Sequence, residues 1–167
     1  MLALLIATGA TACPVERAHY VLRASPGVTA EFHAAPANED WPRGLALAIH
    51  VQRTGRTYWG LPWNGGTDRR QHVRFVRAVG DNLPTDVRLA NRDIDFLGTD
   101  ASYAFLDAVP DARGSAPFHF LLPWLGPTLW HSTAVGVRDD VPQAFFDLVA
   151  CGPQANAPAG LDLPAVP

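Results

Sequence analysis

The chain has 167 residues, 48% of them hydrophobic and 17% charged, with a formal net charge of -3 at pH 7. This length is typical of one domain, and the high hydrophobic fraction excludes an intrinsically disordered chain. All 13 basic residues are arginine, so lysine chemistry such as a Schiff base is excluded, and the slight acidic balance argues against a nucleic-acid partner.

The chain begins with an apolar segment that is followed by small residues. Met1 to Ala7 are apolar, and Ala10-Thr11-Ala12 precedes Cys13. Small residues in this arrangement resemble a signal-peptidase cleavage site, and small residues before a cysteine also resemble the lipobox of bacterial lipoproteins. Residues 1–12 are therefore interpreted as a candidate signal segment of a protein exported to the periplasm or cell envelope. Because the run is short and lacks a preceding positive charge, a native N-terminal strand is the alternative.

The two cysteines lie near opposite ends of the remaining chain, at Cys13 and Cys151. In an exported protein we expect them to form a disulfide, which the chain-entropy model values at about 4 kcal/mol. A lipid attached to Cys13 would exclude this bond. Such a lipid is also the only membrane contact expected, because no other segment approaches the roughly 18 apolar residues that span a bilayer.

Short segments of alternating apolar and polar residues, bounded by turn residues, dominate the rest of the sequence. Segments of this kind predict β-strands. The predicted strands cover 18–23, 28–34, 45–52, 57–63, 71–79, 94–97, 102–106, 118–122 and 129–137. The first two are expected to form a hairpin with its turn at Ser25-Pro26-Gly27, and Val73 and Phe75 are expected to face inward. Eight or so short strands with frequent turns favour a mainly β domain over 13–151, an antiparallel β-sandwich or small barrel.

The hairpin over 45–63 allows its register to be argued from the turn. A three-residue turn at Arg53-Thr54-Gly55 pairs Ile49 with Trp59 and puts the apolar sets of both strands on one face. A two-residue turn would pair Ile49 with Gly60 and separate the two sets, so we predict the first register. Pro62 predicts that its strand ends there or lies at a sheet edge.

One helix is predicted, near the C-terminus. Asp140 is a suitable N-cap, Pro142 suits a first turn, and Gly152 occupies the position of a C-terminal glycine after Gln143 to Ala150. The remaining residues, 152–167, are rich in proline and alanine and are predicted to form a disordered tail.

Sequence motifs for catalysis or metal binding are absent. No serine lies in a G-x-S-x-G pattern, and no histidine has H-E-x-x-H or zinc-finger spacing. The segment from Asp93 to Asp100 begins like an EF-hand loop, but Ala104 occupies the position that requires a bidentate glutamate. No catalytic residue, metal site or cofactor is therefore predicted, although histidines that converge from different strands would be able to bind a metal.

Two surface features suggest ligand contacts. One is an arginine stripe around His72, formed by Arg69, Arg70, Arg74 and Arg77. The other is a pair of tryptophans in proline-flanked loops, which can stack on a sugar or insert into a partner. The candidate ligand-binding residues are Trp41, Trp124, Arg70 and Arg74. The alternatives are a solvated strand face for the arginines and caps on a β core for the tryptophans.

These features predict a non-enzymatic, exported cell-envelope β-domain that binds a ligand, an envelope protein or a glycan. The alternative is a periplasmic hydrolase whose active site is assembled from dispersed residues such as His119, His131 and Asp95. An enzyme of this kind requires an acid/base pair within hydrogen-bond reach in a cleft. A purely structural envelope component is a third interpretation.

Overall fold

A computed structural model of the chain describes residues 12–39, 41–65, 70–78, 89, 92–132, 138–154, 156–158 and 160–161. Within these residues the chain forms nine strands, one α-helix and one short 3₁₀ helix, Val15–Arg17. The strands are β1 (Ala18–Leu22), β2 (Ser25–Ala34), β3 (Leu45–Val51), β4 (Arg56–Gly65), β5 (Arg70–Val76), β6 (Asp93–Asp95), β7 (Leu97–Thr99), β8 (His119–Leu121) and β9 (Phe146–Cys151), and the helix is α1 (Leu125–Ser132). Residues 1–11 of the candidate signal segment lie outside the described residues.

The strands form one antiparallel sheet that nearly closes into a barrel. Their order is β6-β5-β4-β3-β2-β1-β9-β8-β7. The two edge strands, β6 and β7, are consecutive in the chain with Phe96 between them, and they pair with β5 and β8 respectively. The Phe96 N–H donates to the Gln71 carbonyl at 2.9 Å. The segment 93–99 therefore connects both edges, which confirms the predicted mainly β fold as a barrel.

Aromatic side chains fill the middle of the barrel. The Phe120 ring centroid lies 4.7 Å from that of Phe146, 4.9 Å from that of Tyr20 and 5.3 Å from that of Phe96. These four side chains are at most 1% exposed. The barrel interior is thus a packed core of side chains contributed by alternate strand residues.

The hairpin of β3 and β4 has a different register from the one predicted. Ile49 pairs with Tyr58, and Leu47 pairs with Gly60. The turn has four residues, 52–55, and Gly55 adopts a positive φ of 66°. The predicted pairing of Ile49 with Trp59 is therefore wrong by one residue. A register shift of one residue moves every side chain of the strand to the opposite face of the sheet. Tyr58 is therefore in the core, and Trp59 faces outward.

The outward apolar residues of β4 belong to a second hydrophobic cluster, which explains the wrong register. This outer cluster contains Trp41, Ala46, Ala48, Trp59, Leu61, Val76 and Ala78, with Trp63, Ala157 and Leu161 packed against it. β4 lies between the barrel core and this outer cluster, and it carries apolar side chains on both faces. It is also a central strand, with Pro62 paired to Val73 of β5, so the predicted sheet edge at Pro62 is wrong.

The pairing of the first two strands and the inward face of β5 are as predicted. The turn between β1 and β2 lies at Arg23-Ala24 because Leu22 pairs with Ser25, so the predicted turn at 25–27 is wrong and these residues belong to β2. Val73 and Phe75 of β5 are in the core. The segment 102–106 does not form a strand and contributes only an isolated bridge between Phe105 and Thr99.

In the C-terminal half, the structure has a strand where a helix was predicted and a helix where a strand was predicted. The segment predicted as a helix contains β9, which pairs with β1 and β8. Pairing on both sides outweighs the weak helix preference of this segment. The strand predicted over 129–137 begins within α1, in which Leu125, Leu129 and Ser132 are buried. Residues 133–137 lie outside the described residues.

Cys13 and Cys151 form a disulfide, as predicted. The bond joins two residues separated by 138 positions and links the segment before β1 to the end of β9. The Cys13 sulfur in this bond is not available for a lipid thioether. In the described part of the chain, no helix has the length and apolar character required to cross a membrane.

Some residues of the tail that was expected to be disordered contact the sheet. The Ala157 N–H donates to the Ala34 carbonyl at 2.8 Å, and Leu161 forms a bridge with Ala78. Ala157 and Leu161 both pack against the outer cluster. This part of the tail therefore covers the outward face of the barrel beside β2.

Candidate metal centre

Three neighbouring strands present histidine and glutamate side chains on the outer face of the barrel. Successive side chains of a strand point to opposite faces, so residues next to core residues in β1, β2 and β3 face outward. These outward residues include His19, Glu31, His33 and His50. Glu31 pairs with His19 on one side and with Ala48 on the other. His50 lies two residues beyond Ala48 on β3, which places it diagonally across from Glu31.

Glu31, His33 and His50 converge closely enough to hold one metal ion. One ligand atom from each lies within 4.8 Å of the other two, and the His33 Nε2 atom is 3.5 Å from the Glu31 Oε2 atom. Ligand atoms around a tetrahedral zinc ion are about 3.3 Å apart, given bonds of about 2.0 Å. Small side-chain rotations would therefore bring the three groups to bonding distance.

Each of these three side chains is held in place by a hydrogen bond to a neighbouring residue. His33 Nδ1 donates to the Asn156 carbonyl at 3.2 Å, and His50 Nδ1 is hydrogen-bonded to Thr57 Oγ1 at 2.9 Å. His19 Nδ1 donates to Glu31 Oε1 at 2.8 Å. Metal-ligating imidazoles characteristically use their other nitrogen in this way. Since a carbonyl can only accept, the proton of neutral His33 is on Nδ1 and its Nε2 carries a free lone pair.

The Nε2 atom of His33 is buried and has no hydrogen-bond partner among the described residues. His33 is 9% exposed, and the Trp59 ring packs edge-on against its imidazole at 5.1 Å. Burial lowers the pKa of His33 below its ordinary value, which keeps the imidazole neutral. A buried unpaired acceptor costs about 1–3 kcal/mol, and a bound cation would remove this penalty.

A surface cleft of about 350 Å³ adjoins the cluster at His50. Its walls come from the start of β2 and from the β3–β4 hairpin. The lining residues include Thr29, Gln52, Arg56 and Thr57 as well as His50. Cleft volumes of this size accommodate small ligands, so a small molecule bound there would lie next to His50, one of the three candidate metal ligands.

Two of the predicted ligand-binding residues, Trp41 and Arg74, pack against each other and against other residues of the protein. Trp41 is 4% exposed and contacts Trp63 edge-on, with ring centroids 6.1 Å apart. The Arg74 guanidinium lies over both rings, 5.5 Å from the Trp41 centroid and 5.0 Å from the Trp63 centroid. Arg74 also forms two hydrogen bonds of 2.7 Å with Asp93. Trp41 and Arg74 thus have partners within the protein.

The other two predicted ligand-binding residues are on the surface. Arg70 is exposed at the start of β5 and lines a cleft with Gln71 and Asp95. Trp124 is 60% exposed and immediately precedes α1. Arg69, the first residue of the predicted stripe, lies outside the described residues.

The residues considered for a hydrolase have separate partners. His119 Nδ1 donates to Asp147 Oδ1 at 2.7 Å, whereas Asp95 Oδ1 lies 3.6 Å from His72 Nδ1. His131 lines a small cleft at the end of α1. The partner of His119 is therefore Asp147, which the sequence did not identify.

Asp147 is itself held by an arginine. Arg23 donates to it through Nε at 2.9 Å and through Nη2 at 2.7 Å, and these hydrogen bonds lower the pKa of Asp147. The Tyr103 ring stacks on His119, with centroids 4.3 Å apart. Tyr103 has a φ of 66°, a left-handed conformation that costs energy for an aromatic residue.

The sequence contained one signal for the metal cluster. Glu31 and His33 are separated by one residue within a predicted strand, so both side chains lie on the same face. The participation of His50 depends on the pairing of β2 with β3.

Comparisons with protein-family models, with curated proteins and with solved structures find no match to this chain.

Proposed function

We propose that this protein is an exported β-barrel domain that binds a divalent transition-metal ion through Glu31, His33 and His50. The observation that carries the proposal is the buried Nε2 atom of His33, which lacks a hydrogen-bond partner among the described residues and lies 3.5 Å from a Glu31 oxygen. Two imidazoles and one carboxylate are a common ligand set for Zn²⁺ and leave a fourth position for water or a ligand. Zn²⁺ is therefore the ion we propose.

Two observations support the exported location. Disulfides form and persist in oxidising compartments such as the periplasm, and Cys13 is bonded to Cys151. The apolar segment that ends in Ala10-Thr11-Ala12 resembles a cleavable signal. A periplasmic or cell-envelope location is part of the proposal.

The metal-free, oxidised protein is expected to bind one Zn²⁺ ion per chain. Isothermal titration calorimetry measures this directly. The His33→Ala and Glu31→Gln variants should each weaken binding by at least about 100-fold, because each loses a direct ligand. His131→Ala is the matched control, since His131 is an exposed histidine on α1, and it should bind as the wild type does. Equal weakening by His33→Ala and His131→Ala would show that binding is nonspecific.

Contact with an envelope protein or a glycan through Trp124 is a compatible part of the proposed function. The Trp124 side chain is 60% exposed, and exposed tryptophans are frequent anchors in interfaces. Such a contact would involve a surface other than the metal ligands.

A hydrolase is the second candidate function, and the observation that favours it is the hydrogen bond of 2.7 Å between His119 and Asp147. A carboxylate that holds one imidazole nitrogen leaves the other available as a general base. If this function is correct, the metal-free protein should hydrolyse a member of a panel of aryl esters. His119→Ala should abolish the activity while His131→Ala retains it; activity that persists in His119→Ala would exclude this mechanism.

A further inference from the structure

The segment that follows the disulfide forms one wall of the candidate metal centre. We infer that the Cys13–Cys151 bond holds this wall segment, described at residues 152–154 and 156–157, in the position that zinc binding requires, so that tight binding belongs to the oxidised protein. The inference rests on the proposed function. Within this segment, Asn156 contacts the cluster directly at His33, and Gly152 lies against His19, which is hydrogen-bonded to Glu31.

The first contact is between Gly152 and His19. The Gly152 N–H donates to the Arg17 carbonyl at 2.7 Å, and Arg17 Nε donates to the Gly152 carbonyl at 2.6 Å. The main chain at Gly152 lies close to the His19 ring, since a Cβ atom on Gly152 would overlap the His19 Nε2 atom. His19 in turn donates to Glu31. Gly152 is therefore a positioning residue that acts on Glu31 through His19.

The second contact is between Asn156 and His33. The Asn156 carbonyl accepts the hydrogen bond from His33 Nδ1, and Asn156 forms a parallel bridge with Ala34 on β2. This carbonyl determines which nitrogen of neutral His33 carries the proton. Displacement of the wall segment would remove that constraint and free the imidazole to rotate away from Glu31 and His50.

The disulfide is the strongest attachment at the start of the wall segment. Cys151 immediately precedes Gly152, and the last three residues of β9, 149–151, are exposed. Exposed strand ends with few apolar contacts open easily. Without the bond to Cys13, we expect this end of β9 to separate from β1 and to take the wall segment with it. The chain would then bind zinc weakly in a reducing compartment and tightly after oxidation.

The test compares zinc affinity in the oxidised wild type and the C13S/C151S double variant by competition with a chromophoric chelator. The double variant is expected to bind about 10- to 100-fold more weakly, the usual effect of losing groups that position metal ligands. If the wild type binds no zinc, the proposed function fails and this inference fails with it. If the wild type binds and a folded double variant binds equally well, only the inference is overturned.

A second variant keeps the test decisive if the double variant does not fold. Gly152→Ala retains the disulfide and displaces His19, so we expect about 10-fold weaker binding with unchanged far-ultraviolet circular dichroism. It should also change the visible absorption spectrum of bound Co²⁺, which reports ligand geometry and would not respond to a change in stability alone. Gly27→Ala is the matched control because its Cβ would meet Gln52 at an ordinary contact distance of 3.5 Å. Wild-type affinity and spectrum in Gly152→Ala would overturn the inference.

Discussion

Replacing Asp139 with alanine is expected to destabilise the folded protein by about 3–5 kcal/mol. Asp139 is completely buried. It accepts hydrogen bonds from the Tyr58 hydroxyl at 2.5 Å and from Thr54 Oγ1 at 2.8 Å. Arg53 and Arg56 each lie 3.3 Å from its carboxylate. The variant would leave the buried Tyr58 hydroxyl and the Arg56 guanidinium, whose side chain is 13% exposed, without the anion that compensates them.

The network around Asp139 joins the β3–β4 hairpin to the chain that follows α1. Removing the Asp139 carboxylate should therefore lower the free energy of unfolding of the whole domain and not only break one local contact. Burial and the carboxylate both raise the pKa of Tyr58, which keeps its hydroxyl protonated as a donor. Urea denaturation would measure the change in free energy. Asp139→Asn is the matched control, because it preserves size and removes the charge, and it should be less destabilising. A loss below about 1 kcal/mol for Asp139→Ala would show that the network contributes little.

The second large effect is expected from the C13S/C151S variant, which should be about 4 kcal/mol less stable than the oxidised wild type. The bond joins residues 138 positions apart, so its loss greatly increases the conformational entropy of the unfolded chain. Urea denaturation of the variant and of the reduced wild type should agree. Cys13→Ser alone should match the double variant, because either change removes the bond. Unchanged stability would contradict a structural role of this disulfide.

The sequence predicted strands well where one face of the strand meets the core and the other meets a polar environment. In β1, β2 and β5 the alternation assigns each residue to a face, and Val73 and Phe75 are inward as predicted. In β4 the same reasoning failed because Trp59 and Tyr58 pack into different clusters. Alternation carries no register information when both faces of a strand are covered by apolar groups.

The exchange of helix and strand in the C-terminal half has a similar cause. Local preferences over 143–150 are weak, and they were outweighed by the pairing of Phe146 with Leu22 on β1 and with Phe120 on β8. These partners are distant in the chain. Local propensity is a weak guide when tertiary hydrogen bonds decide the conformation of a segment.

The sequence by itself determined the mainly β class and put Glu31 and His33 on the same face of one strand. It left Cys13 open to a lipid or to a bond with Cys151, and the structure shows the bond. Only the tertiary structure decided that His50 joins Glu31 and His33, because the meeting depends on the register of β2 with β3. It also decided that the Asn156 carbonyl, 123 positions along the chain, positions His33. Alternation along a strand sets which way a side chain points, whereas a site built from several strands depends on contacts between distant segments.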